Sequence, residues 1–323
     1  MSVATSVPLI GTRWRTRMRE RSVRQRQSGS RGCNASSTHN ESRVVVTDVS
    51  TRVSLSDGRA EFDILLDPNN ANENFLLYHF KHGVCYESEV VQVMLRVIRR
   101  GDYCIDVGAN VGFFTLLMAK LVGDAGSILA FEPGTNNLPK LKNNLALNNV
   151  PQVTLIEQPA WSKNEKIKFW LDADSSGSNA VWDPGKWFAN EKSRQHPESY
   201  EIEAVKVDVY VDRDVRLVKI DTEGAEQRIL EGMEATLRHR KPPFIIAEFN
   251  PFGLKELGCS ATSMRDFMYE FGYDTFLIHP EGGLPSLVPR QTEITYQNGI
   301  VVLNVLFSTL DDVSKAWPKA PYP

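Results

Sequence analysis

Cysteine is scarce in this chain: Cys33, Cys85, Cys104 and Cys259 are the only four in 323 residues, and no two have C-x-x-C spacing. That excludes a zinc ribbon or a disulfide framework and fits a reducing compartment. Cys104 lies in an apolar run, where a small buried hydrophobe belongs. An excess of one charge is also missing. With 37 Lys and Arg against 40 Asp and Glu the net charge is -3, which argues against a nucleic-acid binder held by phosphate neutralisation. No apolar run approaches the roughly 18 residues of a membrane span. Acids are nearly absent at the start, where Glu20 is the only one before Glu41, while Arg13, Arg15, Arg17, Arg19, Arg21, Arg24, Arg26 and Arg31 crowd among serines. Such a segment can bury almost nothing and reads as a disordered basic leader. An organellar transit peptide has the same composition and stays open as the alternative. No continuous apolar core follows the start, so a secretory signal is not expected. The chain is expected to be cytoplasmic unless the leader directs import.

What is present is one enzyme-sized domain with appendages. Hydrophobic residues make up 41%, as a normal core plus a polar tail would give. The expected division is a leader over 1–43, a β appendage over 44–86, the main domain over 87–308 and a tail over 309–323. Short strands are expected at 44–49, 52–55 and 60–66, with a turn at Ser56-Asp57-Gly58. Val90, Val91, Met94, Leu95, Val97 and Ile98 mark an amphipathic helix over 87–99. Strand and helix then alternate: strands at 103–107, 127–131 and 153–157, helices at 112–121 and 137–148. An extra strand at 166–171 precedes a long polar insertion at 172–199, a length that is usually functional in a compact domain. Strands are expected again at 201–209, 216–220, 244–249 and 273–278, with helices at 223–237 and 263–271. Two last strands, 292–296 and 300–307, flank Asn298-Gly299, a hairpin signal. The alternation predicts an α/β fold, a mostly parallel seven-stranded sheet with an antiparallel edge strand. No internal repeat is visible.

The chemistry gathers where apolar strands end. Tyr103-Cys104-Ile105 runs into Asp106-Val107-Gly108-Ala109-Asn110-Val111-Gly112 and then the helix at Phe113-Phe114. The glycines are spaced G-x-x-x-G, unlike the G-x-G-x-x-G of a pyrophosphate loop. An acid before the first glycine repels a pyrophosphate and suits an ammonium. A second acid, Glu132, closes the next strand, where a carboxylate can accept from both ribose hydroxyls. S-adenosylmethionine has the ammonium, the ribose and no phosphate.

These segments, with Phe131-Glu132-Pro133, Leu141, Asn144 and Asn148, and the block Lys219-Ile220-Asp221-Thr222-Glu223-Gly224-Ala225-Glu226, resemble the FkbM family of S-adenosylmethionine-dependent methyltransferases over about residues 87–273. The K-x-D-x-E-G-x-E block is the most diagnostic part. The resemblance implies a Rossmann-like class I methyltransferase fold and O-methylation of a small-molecule or saccharide hydroxyl. Asp106, Gly108, Asn110, Gly112, Glu132 and Trp161 are the candidate cofactor residues, Trp161 because the adenine lies after the third strand in methyltransferases of this type. A core tryptophan is the competing reading.

Asp221 is the first candidate base for a hydroxyl proton, Glu223 the second, and Lys219 their partner. Glu226 and Glu223 also suit a helix N-terminus. Asp221, Glu248 and Asn250 present three oxygens of the kind that holds Mg²⁺, but no metal ligand is assigned. His79 and His82 are further base candidates, and Glu87 and Glu89 lie where the family carries an acid before its first helix. Trp170, Trp182 and Trp187 either line an acceptor pocket or pack the insertion. An NAD(P)-dependent oxidoreductase and a catalytically silent binding protein of the same fold are the rival readings. The acceptor and the oligomeric state are not legible.

Overall fold

A computed structural model of the chain describes residues 17–18, 48–54, 58–187, 189–294 and 302–318. Most of the leader therefore lies outside the described residues, as do Cys33, residues 44–47 of the strand expected at 44–49, Ser56-Asp57 and the Asn298-Gly299 turn. Inside the leader, β1 (Arg17–Met18) pairs antiparallel with β2 (Val49–Ser54), where no structure was expected. β2 pairs in turn with β3 (Glu61–Leu66). Then come α1 (Ala71–Lys81), α2 (Ser88–Val97), β4 (Tyr103–Val107), α3 (Phe113–Val122), β5 (Ser127–Phe131), α4 (Leu138–Asn148) and β6 (Val153–Ile156). Helix α1 was not anticipated. Its N-cap Asn70 accepts from the amides of Asn72 and Glu73, but its apolar residues are spread around the helix, so periodicity misses it.

β7 (Glu165–Leu171) and β8 (Glu198–Ala204) form a separate two-stranded hairpin and stay outside the main sheet. Between them the insertion holds two single turns and α5 (Glu191–Gln195). After β8, Val207–Val209 is a 3-10 turn rather than strand. β9 (Leu217–Ile220) follows, and the helix expected over 223–237 breaks into α6 (Glu226–Glu231) and α7 (Glu234–His239). The rest of the chain gives β10 (Phe244–Phe249), α8 (Pro251–Glu256), α9 (Ala261–Glu270), β11 (Asp274–Leu277), β12 (Ser286–Val288), β13 (Leu303–Ser308) and α10 (Leu310–Ala316). The segment 309–318 is thus no loose tail. Thr309 caps α10 by accepting from the Asp312 amide, and Val313 and Trp317 are buried.

The main sheet has eight strands in the order β12-β11-β13-β10-β9-β4-β5-β6. From β10 through β6 all pairs are parallel, whereas β13 is antiparallel to both β10 and β11. The fold is the doubly wound α/β sheet that alternation predicts, with two differences. Strand β12 adds an eighth member, and the antiparallel β13 sits inside the sheet instead of at its edge. Alternation along each strand sorts the two faces. Cys104, Leu217, Phe244 and Leu306 pack toward α2, α3 and α10, while Ile105, Val218, Ile245 and Phe307 pack toward α6, α7 and α9. Each such side chain fully removed from water contributes about 1.5–3 kcal/mol. With both faces covered, only strand ends are left for polar chemistry.

Candidate active site

A cleft of about 860 Å³, its open mouth included, runs along the carboxyl ends of β5, β4 and β9. That is where open α/β sheets bind ligands. Of the nine candidate residues, Gly108, Asn110, Glu132, Lys219, Asp221 and Glu223 line it. Asp106, Gly112 and Trp161 are not on its wall.

Asp106 lies under α3 and not on the wall. It shares the face of Cys104 and is fully buried beneath α3, where its Oδ2 accepts from Thr115 Oγ1 at 2.5 Å. Its cross-strand neighbour on β9 is Lys219. Burial raises the Asp106 carboxyl to about 6, against the pull of Lys219 and of the Thr115 hydroxyl. Gly112 serves α3 as its N-cap, beside Leu141. Trp161 is turned away because Ala160 bridges Val205 and leads the chain into the β7–β8 hairpin. There its indole N–H donates to Glu165 Oε1 at 3.0 Å. Pro159 and Ala160 reach the cleft in its place.

The loop after β4 spends its amides internally. Gly108 and Ala109 N–H both donate to Phe131 O, at 3.0 and 2.9 Å, and Gly112 N–H donates to Ala109 O. Asn110, at φ +52°, donates its N–H to Glu132 Oε2 at 2.7 Å. Glu132 is held again by the Gly134 amide on Oε1 at 2.8 Å. Its buried carboxyl is pushed up to about 7 by desolvation, which these amide donors oppose. No cradle of unused N–H groups is left between Gly108 and Asn110 for a pyrophosphate.

On the β9 side, Lys219 is 2% exposed and its Nζ donates to Asp221 Oδ2 at 2.8 Å. The ammonium also sits 4.6 Å from the centre of the Phe114 ring. Burial opposes its charge, yet Asp221, Asp106 and Glu87 together raise the Lys219 pKa. Glu223 stands at φ +57°, and its Oε2 accepts from Asn250 Nδ2 at 2.6 Å. Desolvation first, then Asp221 and Glu226, push Glu223 up to about 8. Glu226 has a structural job: its Oε1 accepts from the Thr222 amide, the Thr222 hydroxyl and the Gly224 amide, fixing the turn that carries Glu223.

Behind this wall, Glu248 on β10 faces Asn304 on β13, and Asn304 Nδ2 reaches Glu89 Oε1 at 3.2 Å and Glu87 Oε2 at 3.4 Å. Burial raises Glu87 to about 7 and also holds Glu248 well above the ordinary carboxyl range. Despite these acids, no group of three or more His, Cys, Asp or Glu side chains suited to a metal ion is found among the described residues. His79 is half-buried and His82 exposed, and each ring Nδ1 bonds a carbonyl of the α1 segment. Neither reaches the cleft wall. Asn72 and Tyr86 before the domain, and Ser176, Gly177, Asn179 and Val181 in the insertion, do line it. Nothing in sequence singled these out. Only the insertion's length and polarity marked that segment as functional.

The acids raised by burial, Glu87, Asp106, Glu132, Glu223 and Glu226 among them, give the stability of the protein a definite pH dependence. Between the ordinary carboxyl range and about 8, the folded chain holds protons that the unfolded chain has released, so stability falls as pH rises through that window. The lowered carboxyls, Asp174 and Asp212, act only at more acid pH. The urea midpoint of the ligand-free protein is expected to be lower at pH 8.5 than at pH 6. A flat profile would mean that these acids are solvated in solution.

Residues 106–275 match the Methyltransferase FkbM domain. Methyltransferase 1 of Beauveria bassiana is 27% identical over 153 residues, which is 41% of this chain and 59% of that protein. The match therefore spans about three-fifths of that relative's length. Among solved structures, methyltransferase FkbM from Methylobacillus flagellatus is similar with a TM-score of 0.39 and 14% identity, over 69% of this chain and 55% of that one. Aeropyrum pernix fibrillarin with natively bound S-adenosyl-L-methionine gives a TM-score of 0.36 and 12% identity, over 80% of this chain and 92% of that one.

Proposed function

The chain belongs to the FkbM methyltransferase family, whose cofactor is S-adenosylmethionine, and from that premise we propose O-methylation of a small-molecule or saccharide hydroxyl in the cleft between Glu132 and Glu223. The observation that carries this reading is the pairing of three cleft carboxyls, Glu132, Asp221 and Glu223, with a glycine loop whose amides are already engaged. The engaged amides leave no donors for a pyrophosphate, while the carboxyl oxygens offer acceptors to a nucleoside's hydroxyls and ammonium, which disfavours the oxidoreductase alternative. The buried, unpartnered Asn110 Oδ1 leaves one more acceptor in the same wall.

The residues fit the cofactor in kind. Glu132 is pinned by the Asn110 amide on Oε2 and by the Gly134 amide and Asn137 Nδ2 on Oε1, which leaves a lone pair on Oε2 for a ribose hydroxyl. Gly108 and Asn110 would hold the nucleoside on one side, and Pro159 and Ala160 would give it an apolar one. When bound, S-adenosylmethionine supplies a methyl group already activated by its sulfonium. The chain then has to orient a hydroxyl and remove its proton. Asp221 is the base in this reading, held by the buried ammonium of Lys219. Glu223 keeps its own proton to about pH 8, so near neutrality it donates a hydrogen bond to an acceptor oxygen. Two neighbouring carboxyls thereby take opposite roles.

Titration calorimetry with S-adenosylhomocysteine and with NAD(P) tests the cofactor, and labelled-methyl incorporation into extract metabolites tests the reaction. Binding of the first ligand alone, with label recovered as methyl ethers, is expected. Tight NAD(P) binding without S-adenosylhomocysteine binding would end the reading. In the same assay Glu132→Ala is expected to weaken S-adenosylhomocysteine by about 10- to 100-fold, the worth of hydrogen bonds to a charged group. Trp161→Ala, away from the cleft, is expected to change it by less than about threefold.

A further inference from the structure

Glu223 is held in a backbone conformation that a glutamate adopts only under constraint, since a left-handed residue costs about 1–2 kcal/mol and Glu223 has φ +57°. Three neighbours pin it there. Asn250 caps α8 with its Oδ1 and gives its Nδ2 to the Glu223 carboxyl at 2.6 Å. Gly253 lies so close that a Cβ on it would stand 2.1 Å from the Glu223 carbonyl oxygen. The third neighbour comes from the insertion: the indole N–H of Trp182 donates to that same carbonyl at 2.6 Å. Trp182 is 9% exposed, and its ring meets Phe252 of α8 edge-on at 5.2 Å.

The rest of the insertion is built to hold Trp182 in place. Trp187 meets the other side of this contact, its ring 4.9 Å from Phe252, and Lys186 pairs with Glu256 at the end of α8. Buried Asp172 accepts from the Asp174 amide, Ser193 Oγ and Asn190 Nδ2 at 2.6–2.8 Å, closing the insertion on itself. Ser176, Gly177, Asn179 and Val181 of the same segment line the cleft. One segment therefore both walls the cleft and grips the backbone of one of its acids.

We propose that Trp182 is a positioning residue: its hydrogen bond to the Glu223 carbonyl keeps Glu223 left-handed and on the cleft wall, so that docking of the insertion on α8 sets the geometry of this acid. The proposal rests on the reading of Glu223 as a working acid of the cleft. Loss of the N–H frees the backbone to relax toward ordinary φ, which carries the carboxyl toward solvent and away from Asp221 and Glu226.

The test is Trp182→Phe, which keeps the ring on Phe252 and removes the donor, with Trp187→Phe as the packing control. The Glu223 carboxyl is followed by ¹³C NMR pH titration, assigned by its absence in Glu223→Gln, and S-adenosylhomocysteine affinity by calorimetry. In Trp182→Phe the carboxyl is expected to titrate about one pH unit or more below the unsubstituted protein, with S-adenosylhomocysteine affinity within about threefold. Trp187→Phe is expected to leave the titration in place. A Trp182→Phe titration identical to the unsubstituted one, or the same shift in both variants, overturns the proposal. Methyl transfer by Glu223→Gln separates the two ideas: unchanged turnover removes the role of Glu223, whatever Trp182 does to its position.

Discussion

Gly108→Ala is expected to damage this protein far more than Gly101→Ala, although the two glycines share almost the same backbone conformation, φ +86° and +89°. Both substitutions place a Cβ in the left-handed region, for about 1–2 kcal/mol. At Gly101 nothing lies within 4 Å of the added carbon. At Gly108 it would stand 1.8 Å from the Asp221 carbonyl oxygen and 3.0 Å from its carbon. The two strand ends cannot part easily, because the Asp221 amide donates to Val107 O at 3.0 Å. Overpacking of this kind adds about 1–3 kcal/mol or more. At about 2–4 °C per kcal/mol for a domain of this size, Gly101→Ala is expected to lower Tm by a few degrees and Gly108→Ala by on the order of 10 °C. Gly108→Ala is also expected to lose S-adenosylhomocysteine binding, since any relief displaces Asp221. Equal losses in the two variants would show that the contact with β9 is not what requires glycine here.

That contact also shows where sequence reasoning runs out. The pattern of acid, turn and helix marks Gly108 as special and suggests that a ligand needs its bare backbone. The atom that in fact occupies the space belongs to Asp221, 113 residues further on, and a spacing rule holds no record of which strand lies beside β4. The strands β4, β5, β9 and β10 were legible because burial on both faces writes a continuous apolar run. Their end residues Glu132, Asp221 and Glu223 were legible because a polar group after such a run must face an edge. Asp106 looked equivalent, yet it lies one step inside β4 and its short side chain stays under α3, whereas the longer Lys219 beside it in the same register reaches the cleft wall. Trp161 depended on the direction of a hairpin fixed by pairing with β8, some forty residues away. The interior place of β13 was hidden for a similar reason: a run of apolar residues reports burial, and strand order is set by connections that periodicity does not encode.

Asp221→Asn is expected to reduce methyl transfer by about 10²- to 10⁴-fold, the usual contribution of a positioned proton acceptor. The change keeps an oxygen for the Lys219 ammonium, now 2.8 Å from Asp221 Oδ2, and Lys219 retains Asp106 as its neighbour across β4 and β9. The buried cation keeps a hydrogen-bond acceptor, so the cost is expected to stay below the about 3–5 kcal/mol of a fully broken buried pair, and the variant is expected to fold and to bind S-adenosylhomocysteine within about tenfold of the unsubstituted protein. Glu223→Gln tests the complementary role. Because the Glu223 proton is held to about pH 8, the rate in the unsubstituted protein is expected to fall as pH rises through that value. In Glu223→Gln, whose amide donates at every pH, that falling limb should vanish while the rate near pH 7 drops only moderately. If Glu223 were the base instead, the rate would climb toward pH 8 and Glu223→Gln would lose activity at every pH. Asp221→Asn would then retain more than a tenth of the turnover. The two acids stand on one short turn, and the sign of that pH limb decides which of them takes the proton.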